Sequence, residues 1–288
     1  MTIHVVQPGQ TVYSIAASYG VDPGRLAADN EVPESGALAV GQTLVVRFAR
    51  QLHEVREGET LTSIAAAYGV TVRQLYRNNW TLGGSPAIRP GQVLVTAYFE
   101  DRLGAALFNG YAYPFIEQPL LRSQLPYLSY LTPFTYGITA EGSLYPLRDE
   151  ALVQAARELG VRPVLHLSTF TEEDRFDSER AALVLRDQAV QDALIGEVVQ
   201  MVNRRAFAGV DVDFEFLPRA LAEGYAAFLA RLRTALAPYG RFVWAALAPK
   251  TSADQPGLLY EAHDYAKLSA ASDAVLLMTY EWGYTLPL

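Results

Sequence analysis

Residues 4–21 and 53–70 repeat each other. HVVQPGQTVYSIAASYGV lies over HEVREGETLTSIAAAYGV, and His4/His53, Val6/Val55, Gly9/Gly58, Thr11/Thr60, Ser14/Ser63, Ile15/Ile64 and Tyr19/Tyr68 match at an offset of 49. Leu26/Leu75 and Asn30/Asn79 keep that offset. Past them it becomes 50, pairing Gly41-Gln42 with Gly91-Gln92, so one residue is inserted in a loop. Self-similarity at a fixed period means two copies of one small unit, which excludes a single domain over the first hundred residues.

Each copy reads as strand, helix, helix, strand. Val12, Ile15, Ala16 and Tyr19 follow the i, i+3, i+4, i+7 spacing of one helix face. Thr11 stands at the N-cap, and Gly20 stands where a left-handed C-terminal cap is wanted. Asp22-Pro23 supplies an N-cap and first position for a second short helix. Residues 43–46 close the unit as a β-rich run. In the second copy Leu61, Ile64, Ala65 and Tyr68 form the same stripe.

Both copies resemble LysM domains: PGQT and EGET occupy the first turn, and VGQTLVV and RPGQVLV precede the last strand. The expected modules span 1–48 and 51–97. The resemblance implies binding of N-acetylglucosamine-containing glycans, namely peptidoglycan, spore cortex or chitin. Its groove carries over to Gly9, Gln10, Thr11 and residues 32–38 in copy one. In copy two it carries over to Gly58, Glu59, Thr60 and residues 80–88. Beside this stands a structural reading, in which Gly9 and Gly58 only make a turn and Thr11 and Thr60 only cap helices. Trp80 is the best single candidate for contact, because an aromatic face stacks on the apolar face of a sugar ring. Two weak sites on one chain gain avidity on a repetitive polymer.

From residue 105 the pattern changes to strands separated by helices. Strand-like runs fall at 105–111, 128–134, 164–168, 210–216, 242–248 and 274–280. Asp149 is placed to cap a helix carrying Leu152, Ala155, Ala156 and Leu159, which ends at Gly160. Longer helices are expected near 186–205 and 219–237. Such alternation implies a parallel sheet with right-handed crossovers, doubly wound or barrel. No G-x-G-x-x-G follows the first strand, so the dinucleotide fold lacks its marker. The expectation is an α/β chain: two βααβ modules, then a (β/α)₈ TIM-barrel-type domain over 105–288. Six strands in 184 residues fall short of the eight strands and about 250 residues of a whole barrel. The expected domain therefore lacks its last two βα units.

The run Val210-Asp211-Val212-Asp213-Phe214-Glu215-Phe216 carries the chemistry. Side chains alternate along a strand, so the three acids share one face and Val212, Phe214 and Phe216 the other. Three carboxylates pointing into a barrel lose solvation and repel one another, so function explains them better than stability does. Two alternatives stay open: a solvated edge strand, and a divalent-cation site built on aligned carboxylates. The preferred reading is glycoside hydrolysis. Glu215 lies nearest the carboxyl end of the strand, where barrel active sites sit. A neighbouring carboxylate should keep its proton available near neutral pH.

This segment also resembles glycoside hydrolase family 18. AGVDVDFE resembles the signature DGxDxDxE, and VLLMTYEWGY resembles the sixth strand. The first acid of the signature is Ala208 here, which points to altered tuning. The resemblance implies substrate-assisted retaining catalysis, an exception to the two-carboxylate scheme. Glu215 is then the acid and later the base, Asp213 orients the acetamido group and stabilises the oxazolinium charge, and Asp211 tunes Asp213. Tyr280 would bind the acetamido carbonyl, and Met278 and Glu281 would shape the subsite. Tyr136, Trp282 and Lys250 near strand ends are further substrate-binding candidates, with Tyr111, Tyr113, Trp244 and Tyr284 as possible liners. His166 and Ser168 alternate on the third strand, but no G-x-S-x-G elbow accompanies them. His166 is expected to be a satisfied inward polar residue.

Composition narrows the classes further. A net charge of −8 argues against nucleic-acid partners. Cysteine is absent and the four histidines lack helical ligand spacing, so neither metal nor cofactor is expected. No apolar run of about 18 residues appears, and the N-terminus lacks a standard secretory signal. Together the parts resemble spore-germination cortex-lytic N-acetylglucosaminidases, which implies a spore coat, cortex or cell-wall location. The expected function is a peptidoglycan or cortex hydrolase targeted by its repeats. The alternative is a non-catalytic peptidoglycan- or chitin-binding protein with a truncated barrel.

Overall fold

The computed structural model describes residues 1–33, 36–99, 104–170, 177–257 and 259–279. The chain forms two compact units. Met1–Leu107 with Glu117–Tyr127 make the first, and Phe108–Ile116 with Leu128–Leu288 make the second.

In the first unit each repeat is a βααβ module. Copy one comprises β1 (Thr2–Val5), α1 (Val12–Tyr19), α2 (Pro23–Asp29) and β2 (Thr43–Val46), with β1 and β2 antiparallel. Copy two comprises β3 (Ala49–Glu54), α3 (Leu61–Tyr68), α4 (Val72–Asn78) and β4 (Val93–Tyr98), with β3 and β4 antiparallel. The repeated residues explain the repeated shape. The Thr11 hydroxyl accepts from the Ser14 amide at 3.1 Å while the Thr11 amide donates back to the Ser14 hydroxyl at 2.9 Å, and Thr60 and Ser63 do the same. This reciprocal cap satisfies two otherwise unpaired amides. Gly20 and Gly69 end the helices at φ 66° and 65°, in the left-handed region. The matched Asn30 and Asn79 each tie a second helix to the closing strand. The Asn79 side chain donates to the Leu75 and Val95 carbonyls and accepts from the Val95 amide at 2.8 Å. Val6, Ile15, Leu26, Leu44 and Val46 form the core of copy one, at about 1.5–3 kcal/mol for each large side chain buried. A further helix, α5 (Gln118–Gln124), belongs to this unit.

The second unit is a TIM-barrel-like α/β domain. Its strands are β5 (Asn109–Ala112), β6 (Tyr130–Pro133), β7 (Arg162–Pro163), β8 (Leu165–Ser168), β9 (Gly209–Asp213), β10 (Phe242–Leu247) and β11 (Ala274–Leu277). β7 and β8 are one course interrupted at Val164, whose amide still donates to Leu131. All the pairings are parallel and join neighbours in chain order: β5-β6-β7, and β8-β9-β10-β11. A Tyr136–Leu167 bridge continues β6 onto β8. Strand order therefore never reverses, which distinguishes a barrel from a doubly wound sheet. Helices α6 (Glu150–Glu158), α7 (Ser178–Arg186), α8 (Gln188–Arg204), α9 (Ala222–Leu236) and α10 (Tyr265–Ala271) supply the crossovers. Val198, Val202, Phe228, Leu229 and Leu232 from α8 and α9 pack on Val210, Val212 and Phe214.

Several local expectations need correction. The expected helix over 186–205 is α8, which starts at Gln188 because the Asp187 carboxylate accepts from the Ala189 and Val190 amides; the separate helix α7 before it was not expected. Asp149 makes no side-chain cap. It is buried, pairs with Arg205 at 2.6 Å and accepts from the Tyr136 hydroxyl at 3.0 Å. The first strand begins at Asn109 and the fourth ends at Asp213, so Glu215 lies just past the ladder.

Candidate active site

Gly209 begins β9 because nothing larger fits. A Cβ there would lie 2.3 Å from the Phe242 ring and 2.5 Å from the Phe242 carbonyl oxygen. The strand then alternates as expected: Val210, Val212 and Phe214 enter the core beneath the helices, while Asp211 and Asp213 face the inner side. Phe216 departs from that alternation. Its φ is 55° and it is half-exposed, so the chain turns sharply right after Glu215. A left-handed non-glycine residue costs on the order of 1–3 kcal/mol and tends to mark functional segments.

The three acids are buried, with Asp211 fully enclosed. Such placement excludes the solvated edge strand. The Tyr111 hydroxyl, from β5, donates to Asp211 Oδ2. His166 lies opposite Asp211 in the β8–β9 register, and its Nε2 stands 3.5 Å from Asp213 Oδ2. Its other nitrogen meets the Thr135 hydroxyl at 2.6 Å, and its ring stacks on Phe134 with centroids 4.9 Å apart. His166 is thus an inward polar residue with partners, and it belongs to the acid cluster. Among the described residues Asp213 Oδ1 is buried and has no hydrogen-bond partner, which leaves an acceptor for a group brought by a substrate.

Burial raises the pKa of Asp211 above the ordinary carboxylate range, and the Asp213 charge adds to the rise; His166 and the Tyr111 hydrogen bond oppose it. The folded protein therefore holds a proton on Asp211 more readily than the unfolded chain does. The charge on Asp211 costs stability once pH passes about 3.9, the unfolded value, and the cost grows as pH rises through the folded value. Asp211→Asn is accordingly expected to raise the melting temperature at pH 7 by a few degrees while lowering activity. Parallel calorimetry and rate measurements would check both signs.

A cavity of about 250 Å³ opens at Asp213, lined also by Tyr111, Tyr113, Phe134, His166 and Met278. Met278 is held there by its amide, which donates to the Leu247 carbonyl at 3.0 Å. Aromatic walls over a carboxylate suit a ring with apolar faces and a polar rim. Among the described residues no three His, Asp or Glu side chains converge as metal ligands.

The other candidates fall differently. Tyr136 is corrected: it faces the helix side of the sheet, 1% exposed, with its ring on Phe207 and its hydroxyl on Asp149 and Arg205. It bridges Leu167, whose side chain also points into that outer core, so it is turned away from the acids. The Lys250 ammonium donates to the His263 carbonyl at 3.1 Å and braces a loop. Tyr280, Glu281, Trp282 and Tyr284 lie outside the described residues. In the repeats, Gly9 and Gly58 turn at φ 81° and 79°. Gln10 accepts from the Gln7 amide and meets the His4 ring, and Glu59 likewise meets the Arg56 amide and His53. Thr11 and Thr60 are caps, so these residues have structural work. Trp80, 38% exposed at the start of a 3₁₀ turn, presents part of its ring outward. Phe134, Thr135 and His263 were not singled out from sequence. Phe134 and Thr135 fall at the edge of a strand whose inward residues periodicity alone does not rank.

Comparison with known proteins agrees with this architecture. Residues 4–47 and 53–96 match the LysM domain family, and residues 175–285 match the glycosyl hydrolases of family 18. A cortical fragment-lytic enzyme of Bacillus subtilis (strain 168) is 35% identical over 297 residues, covering 99% of this chain and 67% of that one. A cortical fragment-lytic enzyme of Bacillus anthracis is 29% identical, covering 98% and 66%. The crystal structure of the Bacillus cereus spore cortex-lytic enzyme SleL superposes with a TM-score of 0.76 at 29% identity, over 100% of this chain and 67% of that one. The chain spans about two thirds of the length of these relatives.

Proposed function

The chain, two LysM domains followed by a family 18 glycoside hydrolase domain, belongs to the family of the cortical fragment-lytic enzymes, and we propose that it cleaves β-1,4 bonds at N-acetylglucosamine in peptidoglycan of the spore cortex. The observation that carries this reading is the buried Asp213 in the wall of an aromatic-lined cavity, its Oδ1 unpartnered among the described residues, with the buried Glu215 two residues further along the chain.

Glu215 donates its proton to the glycosidic oxygen as the bond to the leaving sugar breaks. The 2-acetamido oxygen of the substrate attacks the anomeric carbon from the other face, giving an oxazolinium ion. Asp213 accepts the acetamido N–H and stabilises the positive charge. Glu215, now a carboxylate, takes a proton from water, which opens the ring with net retention. Asp211 and His166 flank Asp213, and Met278 lines the cavity beside it; the family resemblance assigns Tyr280 and Glu281 to the same sugar subsite. Incubation with cortex fragments should yield new reducing ends bearing N-acetylglucosamine, initially as the β-anomer. Inverted products or intact fragments would overturn the proposal.

The repeats would hold the enzyme on the polymer in the cortex or cell wall. No helix among the described residues is long and apolar enough to cross a membrane. Trp80→Ala is expected to weaken pull-down on insoluble peptidoglycan several-fold, since a stacked ring contributes about 0.5–1.5 kcal/mol beyond its area. Undiminished binding would remove Trp80 from the contact surface.

A further inference from the structure

The ladder between β9 and β10 has its last registered pair at Val212 and Ala245. Two and three residues further on, the strands are joined by a side chain. The Ala248 amide donates to His263 Nδ1 at 2.9 Å, and His263 Nε2 meets the Phe214 carbonyl oxygen at 3.0 Å. An amide can only donate and a carbonyl can only accept. Nδ1 must therefore be unprotonated and Nε2 must carry the hydrogen, which makes the ring neutral with one tautomer selected. His263 is 1% exposed, and burial depresses its basicity, in keeping with a neutral ring.

We infer that His263 is a positioning residue for the proton donor: its imidazole replaces the missing ladder bond and fixes the carbonyl of Phe214, the residue that carries Glu215 next in the chain. The inference rests on the family 18 reading of Glu215. The surroundings support it. Phe214 stacks on Tyr225 and Phe228, which hold its ring but not its carbonyl. Beyond Glu215 the chain turns at Phe216 in the left-handed region, so the donor sits on a segment bent immediately behind it. The histidine is itself anchored. Its carbonyl accepts from Lys250, and the Tyr265 hydroxyl donates to the Ala248 carbonyl at 2.6 Å while accepting from the Lys250 amide at 2.9 Å.

Glutamine can accept with its oxygen and donate with its nitrogen, so His263→Gln preserves both bonds. His263→Phe fills the space and makes neither. Measured on cortex fragments, the phenylalanine variant should lose roughly 10–100-fold in kcat with KM within about 3-fold, because misplacement near 1 Å has a cost of that order. The glutamine variant should keep kcat within about 3-fold. The nitrogen chemical shifts assigned to His263 in the full chain should show a neutral ring with its hydrogen on Nε2, a signal absent in His263→Gln. A folded phenylalanine variant with the wild-type kcat, or a loss expressed in KM alone, would overturn the inference. So would an Nδ1–H form assigned to His263, which needs no folded variant. If the wild type itself cuts no fragments, the proposed function fails instead. In that case amide exchange at Phe214 and Glu215, expected to quicken in His263→Phe, still reads the positioning.

Discussion

Glu215→Gln is expected to lower kcat on cortex fragments by about 10²–10⁴-fold, the range over which a positioned general acid acts. The exchange keeps the shape of the side chain and removes the acidic proton, so binding should survive and KM should change little. In free-energy terms the loss is about 2.7–5.4 kcal/mol of barrier. Glu215 is buried, so removing one potential charge should not destabilise the fold. Thermal unfolding at or above the wild-type temperature would show that the lost rate is chemical. An unchanged rate with N-acetylated fragments would mean that another group donates the proton, and the assignment of Glu215 would fall.

What the sequence made legible follows from how local each signal is. Helix stripes, caps and left-handed glycines depend on residues three to eight apart. The βααβ modules, with Thr11, Gly20 and Asp22 in their roles, could therefore be read directly. The inward face of Asp211 and Asp213 was equally legible, since alternation needs only the strand itself. Contacts between distant segments were not. Tyr111 reaches Asp211 across 100 residues, and His263 reaches Phe214 across 49. Neither lies on a periodic pattern that names its partner. Asp149 shows the converse failure. Its position before α6 fits a cap, yet Arg205, 56 positions later, offers a guanidinium at 2.6 Å. A charge-assisted bond in a buried place outweighs the roughly 1 kcal/mol of an ordinary cap. Tyr136 was misassigned for the same reason, because it is the third member of that cluster.

Replacing the 2-acetamido group by hydroxyl in an otherwise matched β-1,4 oligosaccharide is expected to abolish turnover, and Asp213→Asn should cost about 10²–10³-fold in kcat on the N-acetylated form. The two effects share one cause. The acetamido oxygen is held beside the anomeric carbon by the substrate's own ring, and well-oriented intramolecular groups reach effective molarities of about 10⁵–10⁸ M. Water admitted to a cavity of about 250 Å³ has no comparable advantage. The enzyme supplies the anion that lets the amide nitrogen bear positive charge, and Asp213 presents an oxygen without a partner among the described residues. Asparagine there offers a dipole in place of a full charge, so the oxazolinium loses its counter-ion while the sugar still binds. Both substrates with both proteins should then give one pattern: Asp213→Asn lowers kcat on the acetamido form, and neither protein turns over the hydroxyl form. Comparable cutting of the glucose-only oligomer by the wild type would require a protein carboxylate as nucleophile, with Asp213 the nearest to the cavity. The acid cluster would then be a two-carboxylate retaining site, in which a glycosyl-enzyme ester on Asp213, trapped and seen by mass spectrometry, replaces the oxazolinium.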